Sequence, residues 1–157
     1  MRKLKILLLS LFTLISFTLM AQSPMDVIEK HQGEKGVDIV IVNEELFNMI
    51  ESMEMDMEKE AKDIIEGLEN MVVLSTTKFE IEKELDLTIY DNLMNINEGF
   101  ESVKIYGKIK NEKIKELLIL TNEPEKDVVN YTMIYIEGNL KLEDIGKIAK
   151  SGDIKIE

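Results

Sequence analysis

The chain has 157 residues, a usual length for one domain, and 45% of them are apolar, enough for a core. Its 31 acidic residues outnumber 19 basic ones, and the net charge of -12 disfavours nucleic acid and anionic membranes as partners. The absence of cysteine excludes disulfides, thiolate metal sites, cysteine nucleophiles and acylated-cysteine anchors, and the single histidine, His31, would have to anchor any histidine-based chemistry.

The first 23 residues have a basic start (Arg2, Lys3, Lys5), an apolar run from Ile6 to Met20, and then Ala21-Gln22-Ser23. This pattern reads as a secretory signal peptide cleaved after Ala21. The run is shorter than the roughly 20 residues a spanning helix needs. An uncleaved anchor or a buried helix are the alternatives. Residues 22–36 carry Pro24, Gly33 and Gly36 with weak periodicity, which predicts a mobile linker with at most one helical turn and His31 as a solvated loop residue. Residues 37–157 then read as a single α+β domain.

The β-branched run Val37–Val42 predicts a short buried strand. Asn43 is placed to cap a helix whose first turn carries Glu44 and Glu45. Leu46, Ile50, Met53, Met57, Ala61, Ile64 and Leu68 recur at steps of three and four, predicting a long amphipathic helix. Residues 71–77 predict the second strand. Thr77-Lys78-Phe79-Glu80 has the form of a capping box, and Ile81, Leu85, Ile89, Leu93 and Ile96 repeat behind it at helical spacing up to Gly99. Within that stretch LDLTIYD also reads as a strand.

The remainder predicts sheet. Residues 101–110 alternate, KNEK (110–113) turns, 114–121 form a strand, and NEPEKD turns again at Pro124. Residues 128–137 are apolar on both alternating faces, which predicts a central strand covered on both sides and broken by Gly138-Asn139. A short helix over 142–149 and a short edge strand in DIKIE complete the reading. The sum is a mainly antiparallel sheet of about five strands with helices largely on one face.

The signal peptide followed by VDIVIVNEELFNMI, GLENMVVLST, IYDNLMNINEGFESVKIYGKIKNEKIKELLILTNE and YIEGNLKLEDIGKI resembles domain-of-unknown-function family 4252, small exported proteins of Bacteroidota. The resemblance spans about residues 37–150. It implies an exported location and brings no activity or catalytic residues with it.

ESMEMDMEKEAK, residues 51–62, sets three methionines at every second position among carboxylates. At helical spacing Met53 and Met57 share the apolar stripe and Met55 faces away, so the pattern reads as core filling on a wet helix. The sharper alternative is a thioether Cu(I) site from Met49, Met53 and Met57. No Gly-containing turn offers a calcium loop. Nothing marks a carboxylate pair for glycoside hydrolysis, and no nucleophile elbow, phosphate loop or dinucleotide fingerprint occurs. Tyr90, Tyr106, Tyr131 and Tyr135 read as half-buried packing residues, with a binding face as the alternative. No catalytic, cofactor-binding or metal-binding residue is assigned, and no cofactor is expected. The expected function is a non-catalytic exported binding or interaction module of the cell envelope, periplasmic or secreted. Its acidic rims would steer a basic protein partner, with residues 101–137 as the platform. No stable membrane insertion is expected after signal cleavage. A small hydrolase using acidic residues and a Met-rich metal-handling protein are the alternatives.

Overall fold

The computed structural model describes residues 22–52, 65–141 and Glu143. The predicted signal peptide, Met53, Met55 and Met57, the helix over 142–149 apart from Glu143, and the DIKIE strand lie outside them. The chain runs α1 (Pro24–His31), β1 (Val37–Asn43), α2 (Glu44–Ser52), β2 (Leu68–Thr76), two 3-10 turns (Ile81–Glu84 and Leu87–Ile89), β3 (Asp91–Glu98), β4 (Glu101–Lys110), β5 (Lys113–Glu125) and β6 (Val128–Lys141). The six strands form one antiparallel sheet in the order β1-β2-β6-β5-β4-β3. The sheet therefore has one strand more than the sequence suggests, and the fold is mostly sheet with some helix.

The strands β3 to β6 form a meander. Its β4–β5 turn has Asn111 and Glu112 both in the left-handed region (φ 53° and 62°), the geometry a two-residue hairpin turn demands. Residues alternate between two apolar layers. Val72, Leu74, Leu118, Leu120, Met133 and Tyr135 join one buried cluster, whereas Ile105, Leu117, Ile119 and Ile136 join the other. Strand β6 feeds both layers and lies inside the sheet, as its doubly apolar pattern predicts.

The sequence reading misplaces several elements. Segment 22–36 is not a plain linker. Ser23 caps α1, accepting from the Asp26 amide while the Asp26 carboxylate accepts from the Ser23 amide, and Pro24 starts the helix. Val27 and Ile28 are buried in the first cluster. The helix expected from Ile81 to Ile96 is absent. In its place the chain crosses the first layer in 3-10 turns, burying Ile81, Leu85 and Tyr90, and then becomes β3. Asn92, Asn95 and Asn97 are weak helix formers, and pairing with β4 gives them a ladder. Gly99 does adopt a positive φ of 62°, but at the β3–β4 turn.

Strand β1 is an edge strand with Val40 and Ile41 half-exposed, not a buried one. Strand β5 runs on through Pro124, and β6 runs on through Gly138-Asn139, where a bulge opposes Leu68 and Asn70. At Gly138 a Cβ would lie 2.1 Å from the Gly67 carbonyl oxygen, so glycine is needed for close approach of the backbones. Asn43 caps α2 as expected, its side-chain oxygen accepting from the Leu46 amide at 3.1 Å. In that helix Phe47 is buried and Leu46 is exposed, a rotation of the predicted stripe by one residue.

Candidate functional site

Three places gather polar chemistry. The first is His31, expected in a solvated loop and found buried at the end of α1. Its ring stacks on Phe79 at 4.0 Å between centroids, Nδ1 lies 3.0 Å from Glu34, and Nε2 lies 2.8 Å from Glu84. Lys30 donates to the same Glu84 oxygen at 3.0 Å. Burial alone would depress the His31 pKa, but the hydrogen bonds and charges of the two glutamates together outweigh it and raise it. Burial pushes Glu84 up, and bonding to His31 and Lys30 more than reverses that, holding the carboxylate ionised. The imidazole is clamped on both nitrogens and covered on a face, so it ties α1 to the crossing segment.

The second place joins the tyrosines. Tyr90, Tyr106 and Tyr135 are buried in the first cluster and Tyr131 packs against it, so they share one layer as packing residues. The Tyr90 hydroxyl donates to Glu116 at 2.7 Å, and Tyr135 donates to Glu137 at 3.0 Å. Lys108 also donates to Glu116, at 2.7 Å, and Asn70 donates to Glu137 at 3.1 Å. Burial first, and then the neighbouring carboxylates, pushes both phenols far above their usual range. Burial pushes Glu116 up, but bonding to Lys108 and Tyr90 brings it below the usual carboxylate range. The acid is made weaker and the base is made weaker, which is the reverse of a pair poised for proton transfer near neutral pH. The network satisfies two carboxylates that face each other across β5 and β6.

The third place is the end of the sheet where the β3–β4 and β5–β6 turns lie together. Phe100 is 88% exposed at the tip of the first turn, and Val128 is 52% exposed beside the second. Glu98 and Glu101 are directly opposed at the base of the Phe100 turn. Like charges so placed destabilise a hairpin, and neither forms an ion pair among the described residues. Glu123 and Glu125 of β5 and Asp127 of the β5–β6 turn add exposed carboxylates, with the exposed Lys126 between the last two. Beside them an open groove of about 460 Å³ runs between Thr77–Lys83 and the β5–β6 turn, floored by Phe79, Val128 and Tyr131. A smaller cavity of about 30 Å³, walled by Glu82, Ser102, Lys104 and Asn122, has room for water but not for a substrate.

Sequence reasoning grouped the four tyrosines as packing residues without their carboxylate partners, and it singled out neither the His31 clamp nor the Phe100 tip. Phe100 lacks a periodic partner, and the carboxylates around it come from separate strands. Of the methionines weighed for Cu(I), Met49 is 48% exposed on α2, and Met53 and Met57 lie outside the described residues. No three of His, Asp and Glu among the described residues are grouped to hold a metal, and no described helix is long and apolar enough to cross a membrane.

The family described as Domain of unknown function (DUF4252) matches residues 31–148. The chain belongs to this DUF4252 family. No curated protein and no solved structure matches it. The match takes in the whole sheet and both turn tips, and it begins at His31, the last residue of α1.

Proposed function

We propose that this DUF4252 member is a non-catalytic binding module of the cell envelope, exported by its N-terminal segment, that grips a basic protein partner through the turn end of its sheet. The observation that carries this reading is Phe100, an almost fully exposed aromatic side chain on a hairpin tip flanked by Glu98 and Glu101, which form no ion pair among the described residues. An apolar anchor within a charged rim is how interfaces concentrate affinity and choose partners. The opposed Glu98 and Glu101 would be relieved by lysine or arginine from the partner. The strands expected as the platform, residues 101–137, are all interior, so they offer turns rather than an edge.

Capture from envelope extract tests this. The wild-type protein should retain a specific basic partner at low salt and lose it at high salt. Phe100→Ser should lower retention about tenfold or more, and Glu98→Gln with Glu101→Gln should flatten the salt dependence. Retention unchanged in both variants would remove the turn end as the binding site. Turnover of a hydrolase substrate, lost on changing one or two carboxylates in a folded protein, would replace the binding reading with an enzymatic one.

A further inference from the structure

Among the described residues, strand β1 is an open sheet edge with few of the devices that prevent strand addition. It contains no lysine, proline or bulge, and its register with β2 is continuous from Val37 opposite Thr76 to Asn43 opposite Asn70. Its one charge is Asp38. Val40 is 57% exposed and Ile41 is 52% exposed, and because they are consecutive they open both faces of the strand. Such an edge is a template for pairing.

The ends of β1 say what pairs with it. Lys35 precedes the strand, and the Lys78 side chain lies over Gly36, where a Cβ would come within 2.8 Å of the Lys78 Cε. Glu44 and Glu45 follow the strand in the first turn of α2. All four are exposed, and none forms an ion pair among the described residues. One end is cationic and the other anionic, which is the pattern that antiparallel pairing with an identical strand satisfies. A two-fold axis through Val40 sets Ile39 opposite Ile41 of a second copy on one face and Val40 against Val40 on the other. Asp38 then meets Val42, so the two aspartates stay apart. Beyond the strand, Lys35 and Lys78 of each copy approach Glu44 and Glu45 of the other.

We infer that β1 joins β1 of a second copy of this chain, extending the two sheets into one twelve-stranded sheet with two-fold symmetry. The turn end that carries Phe100 is built by strands on the far side of the sheet, so dimer formation leaves that tip open.

Sedimentation equilibrium of the purified protein from about 1 to 100 μM tests the pairing. The wild type should approach twice the chain mass within that range. Val40→Lys, which sets two ammonium groups against each other on the axis, should remain monomeric with an unchanged far-ultraviolet spectrum. Lys35→Glu alone and Glu45→Lys alone should each weaken the dimer about fivefold or more, and the two together in one chain should restore it to within about twofold of wild type. These two positions are exposed, so the swap is informative even if Val40→Lys does not fold. A wild-type monomer throughout, a dimer that survives Val40→Lys, or a double variant no tighter than either single change would overturn the inference.

Discussion

The two edges of the sheet are built in opposite ways. Strand β3 is broken by a bulge between Asn92 and Met94, and it carries Asp91, Asn92, Asn95, Asn97 and Glu98 over its length. Strand β1 is unbroken and β-branched, with a single carboxylate. Bulges, charges and amides make an edge a poor template, whereas a flat apolar edge invites a partner. Each strand has one hydrogen-bonded neighbour among the described residues. The difference lies in the bulge and in the side chains, and it makes β1 the better template of the two.

The largest effect expected from disturbing this arrangement lies where the β1–β2 pair hangs on the rest of the sheet. Gly138→Ala puts a methyl group against the Gly67 carbonyl, a backbone atom that cannot turn aside, and should cost about 3 kcal/mol. The matching glycine on the β3 side is Gly107, where the obstacle at 2.7 Å is the Leu93 Cδ1, the end of a flexible side chain. Gly107→Ala should cost about 1 kcal/mol. Urea unfolding of both variants measures the contrast. Equal losses would mean that the two halves are joined with equal tightness and that the edges differ in surface only.

A smaller loss is expected at the start of β3. Tyr90 leads into that strand and donates to the ionised Glu116. Tyr90→Phe leaves Glu116 bonded to Lys108 but removes a charge-assisted bond, a cost of about 1 to 2 kcal/mol by urea unfolding. A neutral result would show that β3 is held by its ladder with β4 without help from the network beneath.

Much of this was legible in the sequence where one local signal agreed with long-range need. Strand β6 is apolar at both parities and is interior, and Asn43 caps α2. Errors arose where local and long-range signals competed. Ile81, Leu85, Ile89, Leu93 and Ile96 have helical spacing, but Ile81 and Leu85 are buried from a 3-10 crossing, Ile89 is exposed, and Leu93 and Ile96 belong to β3. Pairing with β4, from Glu98 opposite Glu101 out to Asp91 opposite Gly107, decided the β3 part of that segment. The signal for α1 was present in Ser23-Pro24-Met25-Asp26, a cap, a first-turn proline and an acid at the third position. Proline and glycine nearby argued for a linker and masked it. His31 was misread for the same reason, because Glu84 and Phe79, which bury it, lie far along the chain. The Phe100 tip was not legible at all, since exposure of an apolar residue has no local mark.

The next expected effect is carried by pH and concerns the layer beneath β1. Val37 and Ile39 of β1 pack against the cluster that contains α1, and His31 ties α1 to the crossing segment. The groups facing His31 are Glu34, Glu84 and, through Glu84, Lys30. Its pKa is raised in the folded protein above the ordinary 6.5, so protonated His31 favours the fold. That contribution is fully present below about pH 6.5 and is lost as pH rises through the raised folded value. Unfolding free energy should therefore fall across this window, and His31→Phe should flatten the profile. His31 is the one histidine in the chain, so its imidazole resonances can be followed without assignment. A folded-state titration midpoint at or below the unfolded one would reverse the sign of the prediction.

The smallest expected effect tests the comparison most directly. If β1 is open, Val40 contributes little to the monomer, because more than half of it already faces water. Val40→Thr keeps the β-branched shape and the strand preference and adds only a hydroxyl that solvent can reach. Its cost should stay within about 0.5 kcal/mol, measured by urea unfolding in the dilute limit where association does not contribute. The same change at Val72, fully buried in β2, introduces a hydroxyl into the first cluster and should cost about 1 to 3 kcal/mol. The contrast between adjacent strands separates exposure from any general intolerance of threonine. A loss at Val40 as large as at Val72 would mean that this edge is packed in solution, and then the bulge and amides of β3 would no longer distinguish a closed edge from an open one.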